Sequence, residues 1–172
     1  KPDIIFSSSP PYTCALIAME LKKYAEKKYG TPVPWVSDFR DAWTDYLTTP
    51  NRWFLPKKID RKYERTTLDK ADTVTIVASG MKDDFERKYP EVSAKTDFVL
   101  LRNGFDSDDY KHTAASNLKN EKFTMVYTGS MYGKRNPYYL LDTISELVKA
   151  GCIDKDKIKF IFVGRLGSDI SD

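Results

Sequence analysis

Two glycines and two adjacent basic residues separate a strand-like run from a helix-like run in the second half of the chain. Gly129 and Gly133 allow a ligand to approach the backbone closely, and Lys134 and Arg135 stand just before a helix that we expect to begin at Asn136. Free amides and the positive end of a helix dipole bind anions, and neighbouring cations strengthen such a site. The pattern predicts a phosphate site, although an ordinary strand–helix turn with solvated charges explains the same residues. It is not a Walker A loop, because Arg135 rather than Ser or Thr follows Lys134.

A second polar cluster follows the strand-like run Pro34–Phe39. Ligands of parallel α/β sheets lie beyond the carboxyl ends of the strands, and Arg40 and Asp41 stand at such an end. Arg40 can hold an anionic or hydroxylated ligand, and a neighbouring carboxylate can orient it or bind sugar hydroxyls. The alternative is a local network of arginine and aspartate that fixes the loop, with Trp43 in the core.

Other charged patterns have simpler explanations. The run Asp106–Asp109 resembles an acidic metal motif, but capping or solvation explains it, and we expect no metal site. A basic face is predicted on the helical segment that includes Asp60–Lys70. Contact with anionic lipid and plain solvation are both open explanations of this face. The basic residues of this face are Lys57, Lys58, Arg61, Lys62 and Arg65.

The composition excludes several classes of protein. The 172 residues include one histidine and two distant cysteines, which rules out a His-based triad, a multi-His zinc site and a disulfide framework. The net charge of +3 is too small for a dedicated duplex binder, so we expect no nucleic-acid partner. No apolar run approaches the roughly 18 residues that a membrane helix needs. We therefore expect a soluble protein of a reducing, cytoplasmic compartment.

Short apolar runs alternate with helix-like segments along the chain. The best-defined helix is Asn136–Ala150, which Asn136 caps and Gly151 ends, and whose apolar residues form one stripe. Ser9 and Ser79 are predicted to cap two further helices. The alternation predicts an α/β fold with parallel sheets and right-handed crossovers. The predicted strands are Asp3–Phe6, Pro34–Phe39, Thr73–Ala78, Phe98–Leu101, Phe123–Tyr127 and Lys159–Val163.

Six segments form an informative series, namely Asp3–Pro11, Trp35–Trp43, Ala71–Ser79 preceded by Glu64, Leu101–Asp106, Tyr127–Ser130 and Phe162–Arg165. In this order they resemble family 4 glycosyltransferases of the GT-B fold, and the resemblance covers nearly the whole chain. It implies two Rossmann-like domains, with parallel sheets and helices on both faces, that meet across a cleft. The first domain would mainly hold an acceptor, and the second a nucleotide-sugar donor.

The resemblance also implies domain boundaries. Residues 1–105 would be the later half of the acceptor-side domain, residues 106–122 a linker, and residues 123–172 the start of the donor-binding domain. The chain would then be an internal fragment that is not active alone, because the paired glutamates of the family are expected beyond Asp172. The family is typically independent of metal ions, so neither a metal nor another cofactor is expected.

Site residues follow from the resemblance position by position. Ser130 stands where the family commonly has an arginine, and Arg135 stands where a lysine is expected. Arg40 and Asp41 would line the acceptor side of the cleft. The residues implied to bind the donor diphosphate are Gly129, Ser130, Lys134 and Arg135.

The implied activity is transfer of a sugar from a nucleotide-sugar donor to a glycan or lipid-linked acceptor, in bacterial surface polysaccharide biosynthesis. Such an enzyme is expected to contact the inner face of the cytoplasmic membrane peripherally. Unpaired sheet edges predict that the fragment self-associates. A nucleotide-sugar epimerase of the same fold and a non-catalytic Rossmann-like binding module are the alternatives.

Overall fold

The computed structural model describes residues 1–44, 53–111, 119–168 and 170. The chain forms two compact units, Lys1–Asp106 and Ser107–Asp172. Residues 112–118, which belong to the predicted linker 106–122, lie outside the described residues. In the described part of the chain, no helix combines the length and the apolar character needed to cross a membrane.

The first unit alternates strands and helices around a four-stranded parallel sheet in the order β1-β2-β3-β4. This confirms the α/β fold class with a parallel sheet that the sequence predicts. Its elements are β1 (Ile5–Ser9), α1 (Thr13–Tyr29), β2 (Trp35–Phe39), α2 (Phe54–Lys70), β3 (Thr73–Ile76), α3 (Ser79–Lys88), the short α4 (Pro90–Ser93) and β4 (Phe98–Leu100).

The core of this unit lies on one face of the sheet. Trp35 of β2 packs against small residues of α1, while Phe39 packs edge-on against Phe85 of α3 at a ring distance of 5.4 Å. Leu68 of α2 joins the same cluster. On the opposite face of the sheet, Asp38 is in register with Ser8 and Thr75.

The second unit is built around a single strand–helix–strand motif. A two-stranded parallel sheet pairs β5 (Phe123–Thr128) with β6 (Ile158–Val163), and α5 (Tyr138–Lys149) connects them. Short 3₁₀ helices span Ser107–Tyr110 and Lys155–Lys157. The apolar stripe of α5 is present, but no residue of α5 is buried. Two strands offer too little surface to cover such a stripe.

Two predicted helix caps are wrong. Ser9 is the last residue of β1, where its carbonyl accepts a hydrogen bond from the Arg40 amide at 2.9 Å, and α1 begins only at Thr13. Ser79 is the first residue of α3 and makes no side-chain cap. In both places the neighbouring strand or helix extends to the serine, so the residue type alone misplaced the boundary.

Candidate functional site

The loops that follow β5 and β6 run side by side, in backbone contact. The Gly129 amide donates to the Val163 carbonyl at 2.8 Å, and φ is +143° at Gly129 and +151° at Gly164. A Cβ atom at Gly164 would lie 1.9 Å from the Gly129 carbonyl oxygen, so only glycine fits there. Further along, the Met131 amide donates to the Arg165 carbonyl at 2.9 Å.

A small notch of about 90 Å³ opens where these loops leave the sheet. The notch is lined mostly by apolar atoms. The lining residues are Gly129, Met131, Phe162, Val163, Gly164 and Leu166. Met131 is buried, so it forms part of a fixed floor. The amides of Ser130 and Arg165 donate to no group in the described part of the chain. These amides are available to an anionic ligand.

Lys134 and Arg135 lie in a tight turn just beyond this notch. The backbones of Tyr132 and Arg135 exchange hydrogen bonds at 3.1 and 2.9 Å, and Gly133 between them has φ of +54°. The Arg135 guanidinium lies over the Tyr132 ring, 5.3 Å from its centroid. Arg135 is therefore held by an aromatic ring. Lys134 is exposed and makes no ion pair with any described residue.

The helix after this turn starts later than predicted. The N-cap residue of α5 is Pro137, not Asn136 as predicted. Asn136 lies one residue before the N-cap. Asn136 still reaches the helix, because its Oδ1 accepts from the Tyr138 amide at 3.2 Å and its Nδ2 donates to the Gly133 carbonyl at 2.7 Å. The amides of Tyr139 and Leu140 have no acceptor among the described residues. The end of the helix dipole thus retains donors for an anion.

Sequence reasoning did not assign a role to Arg165, although this cation belongs to the same set of loops. It is exposed and has no side-chain partner among the described residues. The loop residues 128–135 and 163–168 contain Lys134, Arg135 and Arg165 but no aspartate or glutamate. These two loop segments therefore carry positive charge alone. The sequence feature that could have indicated a role for Arg165 is the pair Gly164-Arg165 directly after β6.

In the first unit, polar side chains hold the Arg40 guanidinium in place. Its Nε lies 3.9 Å from Oδ2 of the buried Asp38, and its guanidinium donates to Asn103 Oδ1. Asp38 in turn accepts from Ser8 Oγ at 2.7 Å and from Thr75 Oγ1 at 2.6 Å. Four hydrogen-bonding residues from the strands and the loops that follow them therefore position Arg40. The predicted arginine–aspartate network is present, but its carboxylate is Asp38.

Asp41 stands beside this network without joining it. Within residues 1–44, 53–111, 119–168 and 170, the Asp41 side chain has no hydrogen-bond or ion-pair partner. It is only partly exposed. Arg40 and Asp41, predicted as a pair, are thus adjacent in sequence but differ in role: one is anchored and the other is available to a ligand.

The loop that carries Asp41 is held by Tyr12, the N-cap residue of α1. Trp43 stacks on Tyr12 at a ring distance of 4.8 Å, and Tyr12 Oη donates to the Ala42 carbonyl at 2.7 Å. Trp43 is buried in the core, as one of the two explanations of this segment expects. Stacked aromatic rings, together with the hydrogen bond of the tyrosine hydroxyl, attach this loop rigidly. The backbone around Asp41 is therefore well defined.

Glu64 of α2 anchors the end of the same loop. This carboxylate is 0% exposed and accepts hydrogen bonds from the Thr44 amide at 2.9 Å, Thr44 Oγ1 at 2.6 Å and Tyr89 Oη at 2.7 Å. Lys88 Nζ lies 3.6 Å from Glu64 and donates to the Thr44 carbonyl at 2.9 Å. Burial, together with the negative charge of Glu64, raises the pKa of the Tyr89 phenol, so Tyr89 stays a donor. Sequence reasoning missed this role of Glu64, because its partners come from two other segments, the loop at Thr44 and the end of α3 at Lys88 and Tyr89.

The described residues contain no group of three or more His, Cys, Asp or Glu side chains that could hold a metal ion. Neither a protein-family model nor a curated protein matches the chain. The site must therefore be interpreted from its own chemistry: a cationic, glycine-rich loop pair in one unit, and an anchored arginine with an available carboxylate in the other.

Proposed function

We propose that the chain is part of a glycosyltransferase that uses a nucleotide-sugar donor. The observation that carries this proposal is the loop pair after β5 and β6, which combines open amides, close glycines and cations, with no carboxylate in residues 128–135 and 163–168. Such a site favours a ligand with several negative charges. The diphosphate of a nucleotide-sugar has this charge, and its negative charge increases when the sugar leaves.

In the proposed reaction, the second unit stabilises the leaving group. As the bond between the sugar and the diphosphate breaks, negative charge develops on the diphosphate oxygens, and preorganised amides and cations lower the energy of that state. Lys134 and Arg165 are exposed cations, whereas Arg135 contributes from its position on Tyr132. Gly129 and Ser130 supply backbone that a phosphate can approach.

The first unit is proposed to bind the acceptor, a glycan or a lipid-linked sugar. The charges of Asp38, Arg40 and Asp41 sum to a negative value, so this region does not favour a phosphate. An anchored guanidinium beside an unpartnered carboxylate offers donors and an acceptor to neutral hydroxyl groups. A sugar hydroxyl fits that combination.

Calorimetric titration of UDP and GDP into the 172-residue chain tests the donor site. We expect one of the nucleotides to bind, and Lys134→Ala and Arg165→Ala each to weaken binding about tenfold, the effect of losing one charge-assisted hydrogen bond. Lys159→Ala is the matched control, since Lys159 is an exposed cation on β6 that lies about 20 Å along the strand from Arg165. Its affinity should change less than twofold, by about 0.4 kcal/mol at most. Absence of binding by both nucleotides contradicts the proposal.

Product analysis separates this proposal from its two alternatives. With a labelled UDP-sugar and no acceptor, the present chain should bind the donor without changing it. An epimerised sugar would point to the epimerase, which needs no acceptor. Binding that responds equally to adenine and uracil nucleotides would favour a general nucleotide-binding module.

A further inference from the structure

Helix α2 has the reverse of the usual amphipathic pattern. The residues that it buries are Glu64, Thr67 and Leu68, two of them polar, whereas its apolar residues Leu55 and Ile59 are 52% and 50% exposed. A surface helix normally turns its apolar stripe toward the core. The apolar residues Leu55, Ile59 and Tyr63 recur every fourth position, and of these only Tyr63 contacts a core side chain, with a ring distance of 6.2 Å to Trp43.

The exposed apolar residues continue through the start of the helix. Trp53, the N-cap residue, is 76% exposed and Phe54 is 69% exposed. Together with Leu55 and Ile59 they form what we call the α2 patch. Single exposed apolar residues are ordinary, but four within seven positions, two of them large aromatics, indicate a surface that contacts something apolar.

Basic residues border the α2 patch on the same side of the helix. Leu55, Lys58, Ile59 and Lys62 follow the i, i+3, i+4, i+7 spacing of a single helical face. The acidic residues of this stretch lie elsewhere: Glu64 is buried, and Asp60 lies 3.4 Å from Trp43 Nε1. Among the described residues, Lys58 and Lys62 beside this patch therefore make no ion pair.

We propose that the α2 patch docks on an anionic lipid surface, with Trp53, Phe54, Leu55 and Ile59 in the interfacial layer and Lys58 and Lys62 on the headgroups. Aromatic and aliphatic residues combined with lysines on one short helix face are the composition of an interfacial helix. Charge complementarity selects this occupant, because anionic headgroups attract juxtamembrane lysines. The proposal uses a different helix and a different ligand from the proposed donor site, so either can fail alone.

Tryptophan fluorescence gives a direct readout. The chain has three tryptophans, of which Trp35 and Trp43 are buried and Trp53 is exposed. We expect vesicles of equal parts phosphatidylcholine and phosphatidylglycerol to shift the emission to the blue and to co-sediment with the chain. Vesicles of phosphatidylcholine alone should do neither, and Trp53→Phe should remove the shift while leaving co-sedimentation.

Paired variants assign the contact to the α2 patch. Leu55→Ala with Ile59→Ala, and separately Lys58→Ala with Lys62→Ala, should each lower partitioning into the mixed vesicles about tenfold. All four side chains are exposed, so the fold should be kept. Lys23→Ala with Lys27→Ala is the matched control, since it removes the same charge at the same spacing from the exposed side of α1. It should change partitioning less than twofold, by about 0.4 kcal/mol at most.

Two results would overturn the proposal. One is the absence of co-sedimentation with the mixed vesicles. The other is co-sedimentation that Leu55→Ala with Ile59→Ala leaves unchanged, or that the control pair on α1 lowers as much as the lysine pair on α2. The second result would mean that net charge, rather than the α2 patch, governs adsorption.

Discussion

The carboxyl ends of the two parallel sheets are built on opposite principles. In Lys1–Asp106, the polar side chains around Arg40 bond to one another across strands, and the buried carboxylates of Asp38 and of Glu64 on α2 accept two and three hydrogen bonds. In Ser107–Asp172, the corresponding end contains glycines, open amides and cations with few side-chain contacts. The first arrangement holds its buried carboxylates in internal hydrogen bonds, whereas the loops of the second carry cations beside open amides.

This difference relates structure to role. A region that binds neutral hydroxyls gains from fixed donors and acceptors, because preorganisation lowers the entropy lost on binding. A region that stabilises developing negative charge needs unneutralised dipoles and cations. In the proposed function, the same topological position, the loop after a parallel strand, serves two different chemistries.

Glu64→Ala should have the largest effect, because it removes the buried anchor of the first region. Thr44, Tyr89 and Lys88 would lose a common acceptor, and we expect the free energy of unfolding to fall by about 3 kcal/mol. Urea unfolding followed by tryptophan fluorescence measures this loss, since all three tryptophans lie in Lys1–Asp106.

Glu91→Ala is the control for this variant. Glu91 is an exposed glutamate whose one ion pair, with Arg65 at 3.8 Å, lies on the surface. Its loss should change stability by less than about 0.5 kcal/mol. Equal midpoints for the two variants would contradict the anchoring role of Glu64.

Gly164→Ala should have the next largest effect, in the second region. The new Cβ meets the Gly129 carbonyl, and the φ of +151° disfavours any other residue, so we expect the loop pair to lose about 2 kcal/mol. Hydrogen–deuterium exchange should become faster in the peptides that contain β5 and β6. Gly104→Ala is the control, because a Cβ there meets nothing within 4 Å. Unchanged protection in Gly164→Ala would show that the loops are not tightly packed.

Asp41→Ala should have the smallest effect on stability, within about 0.5 kcal/mol, because the side chain has no partner among the described residues. Asp38→Ala, in contrast, removes a buried carboxylate and should cost more than about 1 kcal/mol. Thermal unfolding of the two variants side by side tests this contrast. Similar losses would mean that Asp41 is part of the structural network after all.

The sequence predicts the strands well and the helix starts poorly, for a physical reason. The predicted strands coincide with β1–β6 or overlap them, because short apolar runs between turn residues have few alternatives. Caps depend on where the preceding strand stops, and the Arg40 amide binding the Ser9 carbonyl prolongs β1 to that residue. The inverted face of α2 is likewise not local, since Glu64 is buried only because Thr44 and Tyr89 come to it.

The candidate sites were predicted in part. Glycine and adjacent cations indicated the loop after β5, because backbone proximity and charge are visible in residue types. The partner loop with Gly164 and Arg165 depends on the pairing of β5 with β6, which joins residues far apart in sequence. Self-association through unpaired edges stays a prediction, which light scattering at high concentration can test.

The most direct test of the central claim locates a bound diphosphate on the chain. In an amide NMR titration with UDP, we expect the largest shifts at Ser130, Arg165, Tyr139 and Leu140, whose amides have no acceptor among the described residues. We expect a similar shift at Gly129, whose backbone a phosphate can approach closely. Amides from Ser37 to Ala42 should not respond. Shifts confined to the first region, or no shifts at all, would contradict the account.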